Sequence, residues 1–189
     1  MNKIVIFASG SGTNAENIIQ YFETKDVATI SAVFTNNPIA KVIERAKKFH
    51  IPTEIFSKAE LFESKVLQKL SAIQPDLIVL AGFLLKLPED IIEAYPNKII
   101  NIHPALLPKY GGKGMYGMNV HKAVVENKEK ETGITIHFVN ENYDEGNIIF
   151  QKKVALLISD TPEVVAEKIH ELEQKYFPGV IEKLLTSTP

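Results

Sequence analysis

Short apolar runs alternate with helical patterns through the first hundred residues. The runs at 4–8, 30–35 and 77–81 have the length and composition of buried strands. The segments between them place apolar residues three and four positions apart, which predicts amphipathic helices. This alternation predicts a doubly wound, mostly parallel α/β sheet. The predicted helices are 13–22, 40–49, 58–73 and 88–94, and the other predicted strands of this half are 53–56 and 98–101.

The pattern changes after residue 130. Apolar and polar residues alternate at 134–139, and a second apolar run at 148–154 follows a turn at 142–147. This predicts an antiparallel hairpin added to the sheet. Thr161 followed by Pro162 is typical of a helix start, so a long helix is expected to close the chain. No linker interrupts these patterns, and we expect one domain over residues 1–189.

Composition excludes several classes of protein. A net charge of −2 argues against a general nucleic-acid binder, and the absence of cysteine excludes disulfides and thiolate metal sites. No apolar run reaches the length of a membrane span, and the N-terminal run is too short for a signal peptide. Histidines and carboxylates do not recur with ligand spacing, so no metal is expected. We therefore predict a cytoplasmic protein without nucleic-acid or membrane partners.

A glycine-rich segment joins the first strand to the first helix. Backbone N–H groups at such a helix start can hold a phosphate. Its spacing also fits a loose dinucleotide fingerprint, and a purely structural turn is a third possibility. The dinucleotide motif expects an acidic residue after the next strand, where residues 35–37 are threonine and two asparagines. A phosphomonoester site is favoured, formed by Gly10, Ser11, Gly12, Thr13 and Asn14.

Candidate catalytic residues lie at the end of the strand at 98–101. Asn101 and His103 are two positions apart, so in a strand they face the same side. Two prolines make 104–108 a rigid loop, and Asp144 lies in a turn-like stretch further along the chain. An amide, an imidazole and a carboxylate suit proton transfer and stabilisation of an oxyanion. The alternative is a hydrogen-bonded structural histidine at a strand end.

Other polar residues are weaker candidates. His121 carries no clear signal, and His137 lies on an alternating strand, where a packed histidine with satisfied hydrogen bonds is expected. His170 and Glu173 share one helix face, which is more often simply solvated. Four glycines within 111–117 predict a mobile loop.

Five motifs together carry a resemblance to a known family, at 9–14, 80–83, 101–110, 133–139 and 144–146. The chain resembles the phosphoribosylglycinamide formyltransferases, folate-dependent enzymes of purine biosynthesis, over essentially all its 189 residues. The resemblance implies a formyltransferase-like fold. The expected assembly is a monomer or a homodimer. The resemblance also implies transfer of a formyl group from the co-substrate 10-formyltetrahydrofolate to the amine of glycinamide ribonucleotide. Related formyltransferases, a formyl-folate hydrolase and a non-catalytic nucleotide or folate binding protein are the alternatives.

The resemblance also implies roles for individual residues. Asn101 and a protonated His103 would stabilise the oxyanion, while Asp144 would favour the charged imidazole and move a proton. The loop at 10–14 would hold the ribonucleotide phosphate, and Glu173 its ribose or glycinamide end. The folate would lie against Leu80, Phe83, Leu84, Leu87 and Val139. The chain departs from the family pattern in having Leu85 where a basic residue is frequent and Gln174 where histidine is usual.

Overall fold

The structure is a computed structural model that describes residues 1–187. The strands within this range form one seven-stranded sheet in the order β3-β2-β1-β4-β5-β6-β7. The first five strands pair in parallel, while β5–β6 and β6–β7 pair antiparallel. The predicted parallel sheet with an added hairpin is confirmed. The strands are β1 Asn2–Phe7, β2 Ala28–Thr35, β3 Thr53–Ile55, β4 Leu77–Leu80, β5 Ile99–His103, β6 Glu131–Phe138 and β7 Ile148–Ala155.

Seven helices flank the sheet within residues 1–187: α1 Thr13–Glu23, α2 Lys41–Lys48, α3 Lys58–Phe62, α4 Lys65–Ile73, α5 Glu89–Ala94, α6 Met118–Glu126 and α7 Pro162–Thr186. The prediction of a single helix over 58–73 is wrong. Ser64 adopts a left-handed backbone with φ of 57°, which breaks the helix, and its hydroxyl donates to Asp90 at 2.6 Å. The apolar residues keep a near-helical spacing across this break, so the sequence pattern conceals it.

The sheet carries a buried core on each face because successive side chains of a strand point to opposite sides. Ile4 and Ile6 belong to the core under α1 and α7, whereas Val5 and Phe7 belong to the other. The Phe7 ring lies 5.2 Å from that of Phe83, centroid to centroid, in an edge-to-face contact. This contact links the core to the loop that follows β4.

The helix α7 begins as predicted. The Thr161 hydroxyl accepts a hydrogen bond from the Val164 N–H at 3.4 Å, and Pro162 is the first helical residue. Its inner face packs against α1 and α6. In the part of the chain that the structure describes, no helix is both long and apolar enough to cross a membrane.

Candidate active site

A cavity of about 510 Å³ opens at the carboxyl ends of β1, β4 and β5. The sheet order reverses between β1 and β4, and the loops after these two strands diverge there. Open α/β sheets bind ligands at such a point. The cavity is walled by the glycine loop, by the segment at 80–87, by the end of β5, by the loop at 112–117 and by one face of α7.

The pairing of β5 with β6 assembles the polar wall of this cavity. Asn101 lies opposite His137, and His103 lies opposite Thr135. The turn after β6 then brings Asp144 next to both His103 and His137. One carboxylate oxygen is 3.6 Å from His103 Nδ1, and the other is 3.6 Å from His137 Nε2. The structure therefore brings the three predicted catalytic candidates together around one cavity.

His103 is buried, and each of its ring nitrogens faces an oxygen of the protein. Its Nε2 donates to the carbonyl oxygen of Tyr110 at 2.7 Å, and its Nδ1 faces the Asp144 carboxylate. Burial lowers the pKa of His103 below its ordinary value, although Asp144 and the Tyr110 carbonyl both act to raise it. The free site therefore holds less imidazolium at neutral pH than the predicted oxyanion role implied.

Asp144 is ionised in this setting. Burial acts to raise the pKa of Asp144, but the neighbouring His137, the charge of His103 and the Gly112 N–H together lower it below its usual range. The Gly112 N–H donates to Asp144 Oδ2 at 2.9 Å, so the glycine-rich segment is attached to the site at this end. Mobility of the rest of that segment stays a prediction.

His137 is buried and satisfied as expected, but it also contacts the site. Its Nδ1 donates to the Phe138 carbonyl at 2.8 Å, which leaves Nε2 as an acceptor for Asn101 Nδ2 at 3.2 Å. Asn101 keeps its other Nδ2 hydrogen and its carbonyl oxygen for a ligand. Sequence reasoning missed this role because only the strand register reveals that His137 faces Asn101.

The proline loop after β5 is fixed by one buried hydroxyl. Thr135 Oγ1 accepts from the Leu107 N–H at 3.0 Å and donates to the Ala105 carbonyl at 2.7 Å. Gln151 Nε2 adds hydrogen bonds to the Leu107 carbonyl and to the Thr135 hydroxyl. The Leu107–Pro108 peptide bond is cis. These bonds place the segment between His103 and Tyr110.

The two glycines of the loop at 10–14 have different surroundings. Gly12 has φ of 73°, and a Cβ there would lie 2.5 Å from the Val42 Cβ, so this position requires glycine. Gly10 faces open space at the cavity. Arg45 Nε donates to the Ser11 carbonyl at 2.8 Å, which satisfies that oxygen from outside the cavity.

The start of α1 is joined to α7 through polar side chains. Asn14 Nδ2 donates to Glu173 Oε2 at 2.9 Å, and Gln174 Nε2 donates to Asn14 Oδ1 at 2.8 Å. Glu173 and the loop at 10–14 thus line one end of the cavity, as the resemblance implied.

At the end of β2, Asn36 accepts from the Ser9 hydroxyl at 2.6 Å. No carboxylate stands there for a dinucleotide ribose.

The apolar wall contains every residue implied for folate. Leu80 and Leu87 are buried, Phe83 and Val139 are half-buried and Leu84 is exposed. Leu85 packs against the core around Phe7 and presents no charge, while the ammonium of Lys86 lies 5.7 Å from the centroid of the Tyr143 ring. No group of three or more histidine, aspartate or glutamate side chains within 1–187 is arranged to hold a metal ion.

Comparison with known proteins gives consistent matches. The family model described as formyl transferase matches residues 2–181. In an alignment 191 residues long, gaps included, the chain is 38% identical to the phosphoribosylglycinamide formyltransferase of Bacillus subtilis. The alignment covers 98% of this chain and 95% of the relative. It is 38% identical over 186 residues to the chloroplastic phosphoribosylglycinamide formyltransferase of Arabidopsis thaliana. That match covers 95% of this chain but only 64% of the plant protein's length.

Solved structures agree with these matches. Glycinamide ribonucleotide transformylase 1 from Symbiobacterium toebii superposes with a TM-score of 0.91 at 30% identity, covering 99% of this chain and 89% of that one. Phosphoribosylglycinamide formyltransferase from Bacillus halodurans gives 0.88 at 37% identity, covering 97% and 95%.

We predict that Thr135→Val destabilises the protein by about 2 kcal/mol or more and lowers catalytic activity. The substitution leaves the buried Leu107 N–H and Ala105 carbonyl without their hydrogen-bond partner. Chemical denaturation of the two proteins measures the difference. Thr132→Val is the matched control, since Thr132 is equally buried on β6 but its hydroxyl does not hold the proline loop. Equal losses in the two variants would contradict the proposed role of Thr135.

Proposed function

The chain belongs to the formyl transferase family, and from this premise we propose that it transfers a formyl group from 10-formyltetrahydrofolate to the amine of glycinamide ribonucleotide in purine biosynthesis. The single observation that carries the proposal is one cavity with Asn101, His103 and Asp144 at its centre and a glycine loop at its end. The proposal treats residues 1–189 as one formyltransferase domain, acting in the cytoplasm.

The central residues would perform the chemistry without a metal or a protein nucleophile. The amine nitrogen forms a bond to the formyl carbon, and the carbonyl oxygen becomes an oxyanion. The free Nδ2 hydrogen of Asn101 and the imidazolium of His103 stabilise that charge. A proton passes from the attacking amine to N10 of the folate, through Asp144 and water, and the bond from the formyl carbon to N10 then breaks.

Asp144 and burial have opposite effects on the pKa of His103, on which this mechanism depends. Because burial lowers the pKa of His103, the protonated fraction in the free enzyme depends on the nearby carboxylate. The developing oxyanion adds a second negative charge near the ring and further favours the imidazolium. Asp144 therefore serves both as a proton carrier and as the counter-charge that makes His103 usable.

The two substrates would enter from different ends of the cavity. The N–H groups of residues 10–14 bind the ribonucleotide phosphate, and Glu173 contacts its ribose or glycinamide part. The pterin lies on the apolar wall formed by Leu80, Phe83, Leu84, Leu87 and Val139. Since Leu85 packs against the core, Lys86, which lines the cavity, would meet the carboxylates of the folate in its place.

The decisive test is an absorbance assay for formyl transfer, run with and without glycinamide ribonucleotide. We expect product only with the ribonucleotide, and His103→Ala should lower turnover roughly a hundredfold or more while both substrates still bind. His50→Asn is the control, because His50 is exposed and outside the cavity. Formyl release at the same rate without ribonucleotide would favour a hydrolase, and binding without turnover a non-catalytic protein.

Asp144→Asn should shift the pH dependence as well as slow the reaction. Removing the carboxylate removes a contribution that raises the pKa of His103, so that pKa falls further and the ring loses its proton at a lower pH. The alkaline limb of the kcat profile should therefore move to lower pH, and acidification should restore part of the rate. Stopped assays across a pH series test this. An alkaline limb in its original place would remove Asp144 from control of His103.

Gly10→Val should weaken ribonucleotide binding without unfolding the protein. A side chain at Gly10 enters open space at the cavity and blocks the approach of a phosphate to the loop N–H groups. We expect the KM for the ribonucleotide to rise about tenfold or more, with the KM for folate and the melting temperature unchanged. Gly12→Val is the contrast, because its contact with Val42 and its positive φ should lower stability first. Unchanged ribonucleotide binding in Gly10→Val would place the phosphate elsewhere.

A further inference from the structure

His121 has an unexplained polar atom in the wall of the cavity. It lies on α6, is 6% exposed and lines the same cavity as His103 and Glu173. Its Nδ1 is sealed from solvent without a hydrogen-bond partner, which holds for no other side-chain nitrogen or oxygen within residues 1–187. The mechanism above makes no use of this imidazole. A buried polar group of this kind calls for a ligand or a defined protonation state.

The sealed nitrogen fixes the tautomer of His121. A proton on Nδ1 would be a buried donor without an acceptor, which is the rarer and more costly arrangement in folded proteins. The proton therefore resides on Nε2, the ring nitrogen that is not sealed. Burial lowers the pKa of His121, and the charge of His103 lowers it further. Glu173 acts in the opposite direction and raises it. The ring is thus a neutral group that offers one N–H to the cavity.

The position of His121 indicates which part of a ligand it meets. His121 lines the same cavity as Glu173 on α7 and His103 on β5, and its helix α6 packs against α7. Glu173 is hydrogen-bonded to Asn14 in the phosphate loop, whereas His103 marks the reacting end. A ribonucleotide that spans these two ends would pass its ribose and glycinamide oxygens along the cavity wall to which His121 belongs.

Resting on the proposed function, we infer that His121 donates a hydrogen bond from Nε2 to an oxygen of the ribose–glycinamide part of the ribonucleotide and so positions its amine towards His103. The ring does not enter the bond-making steps. Its contribution is expected in recognition of the ribonucleotide, separate from the phosphate contacts of the loop.

Two variants of similar size separate the hydrogen bond from packing. His121→Gln keeps an amide N–H near the place of Nε2, whereas His121→Met fills the same space without a donor. We expect His121→Met to raise the KM for the ribonucleotide roughly five- to tenfold, the effect of losing one neutral hydrogen bond. His121→Gln should stay within about twofold of the wild type, and the KM for folate should not change in either variant. Thermal unfolding shows that both variants are folded, and His50→Asn is the histidine control.

Three results would overturn the inference. The first is equal ribonucleotide KM values for His121→Met and the wild type, and the second is equal impairment of the Gln and Met variants. The third comes from nitrogen-15 NMR of the free protein, where a His121 ring protonated on Nδ1 would contradict the assigned tautomer. If the wild type binds the ribonucleotide but transfers no formyl group, the proposed function fails. The dissociation constants of the two variants then decide the role of His121 independently.

Discussion

The antiparallel register of β5 on β6 is the constraint on which the whole site depends. It sets Asn101 opposite His137 and His103 opposite Thr135, and a shift of one residue would turn one strand's polar side chains to the other face. Hydrophobic burial fixes this register, because the residues between the polar ones all enter the same core. Those residues are Ile100, Ile102, Ile134 and Ile136. The packing that stabilises the sheet thereby also aligns the groups that would act on a substrate.

That dependence explains how far the sequence could predict the molecule. Local patterns were sufficient for the alternating strands and helices, for the added hairpin and for the start of α7 at Thr161. They also grouped Asn101 with His103, since a spacing of two needs no knowledge of strand partners. The family suggested by the motifs is confirmed by the match over residues 2–181.

What the sequence could not predict depends on contacts between distant segments. The contact of His137 with Asn101 and the hydrogen bonds of Thr135 to the proline loop arise only when β6 pairs with β5. The helix α6 was missed because the glycines before it dominated the local pattern. The break at Ser64 was missed because helical spacing continues across it. In each case tertiary structure decides between alternatives that the local pattern leaves equal.

Electrostatic balance at His103 shows why a buried site needs the distant carboxylate. Burial alone would keep this imidazole neutral, and an uncharged ring would stabilise an oxyanion only weakly. Asp144 opposes that effect from a left-handed turn, with φ of 57°, where the Gly112 N–H holds its Oδ2. The carboxylate is thus fixed by the backbone of the glycine-rich segment, and any movement of that segment would change the basicity of His103. Substrate binding that orders residues 111–117 would therefore act on the charge of the site as well as on its access to water.

The two departures from the family pattern have different physical consequences. Gln174 donates to Asn14 Oδ1, so that the Asn14 Nδ2 is directed to Glu173, and an amide thereby orients Asn14 at the end of the glycine loop without introducing a titratable group. Leu85 instead adds apolar area to the core around Phe7. Under the proposed function, charge for a folate carboxylate would come from a side chain outside the core, such as the cavity-lining Lys86. Because Lys86 is exposed, its contribution to folate binding would weaken with rising salt, whereas the apolar contacts of the pterin would not.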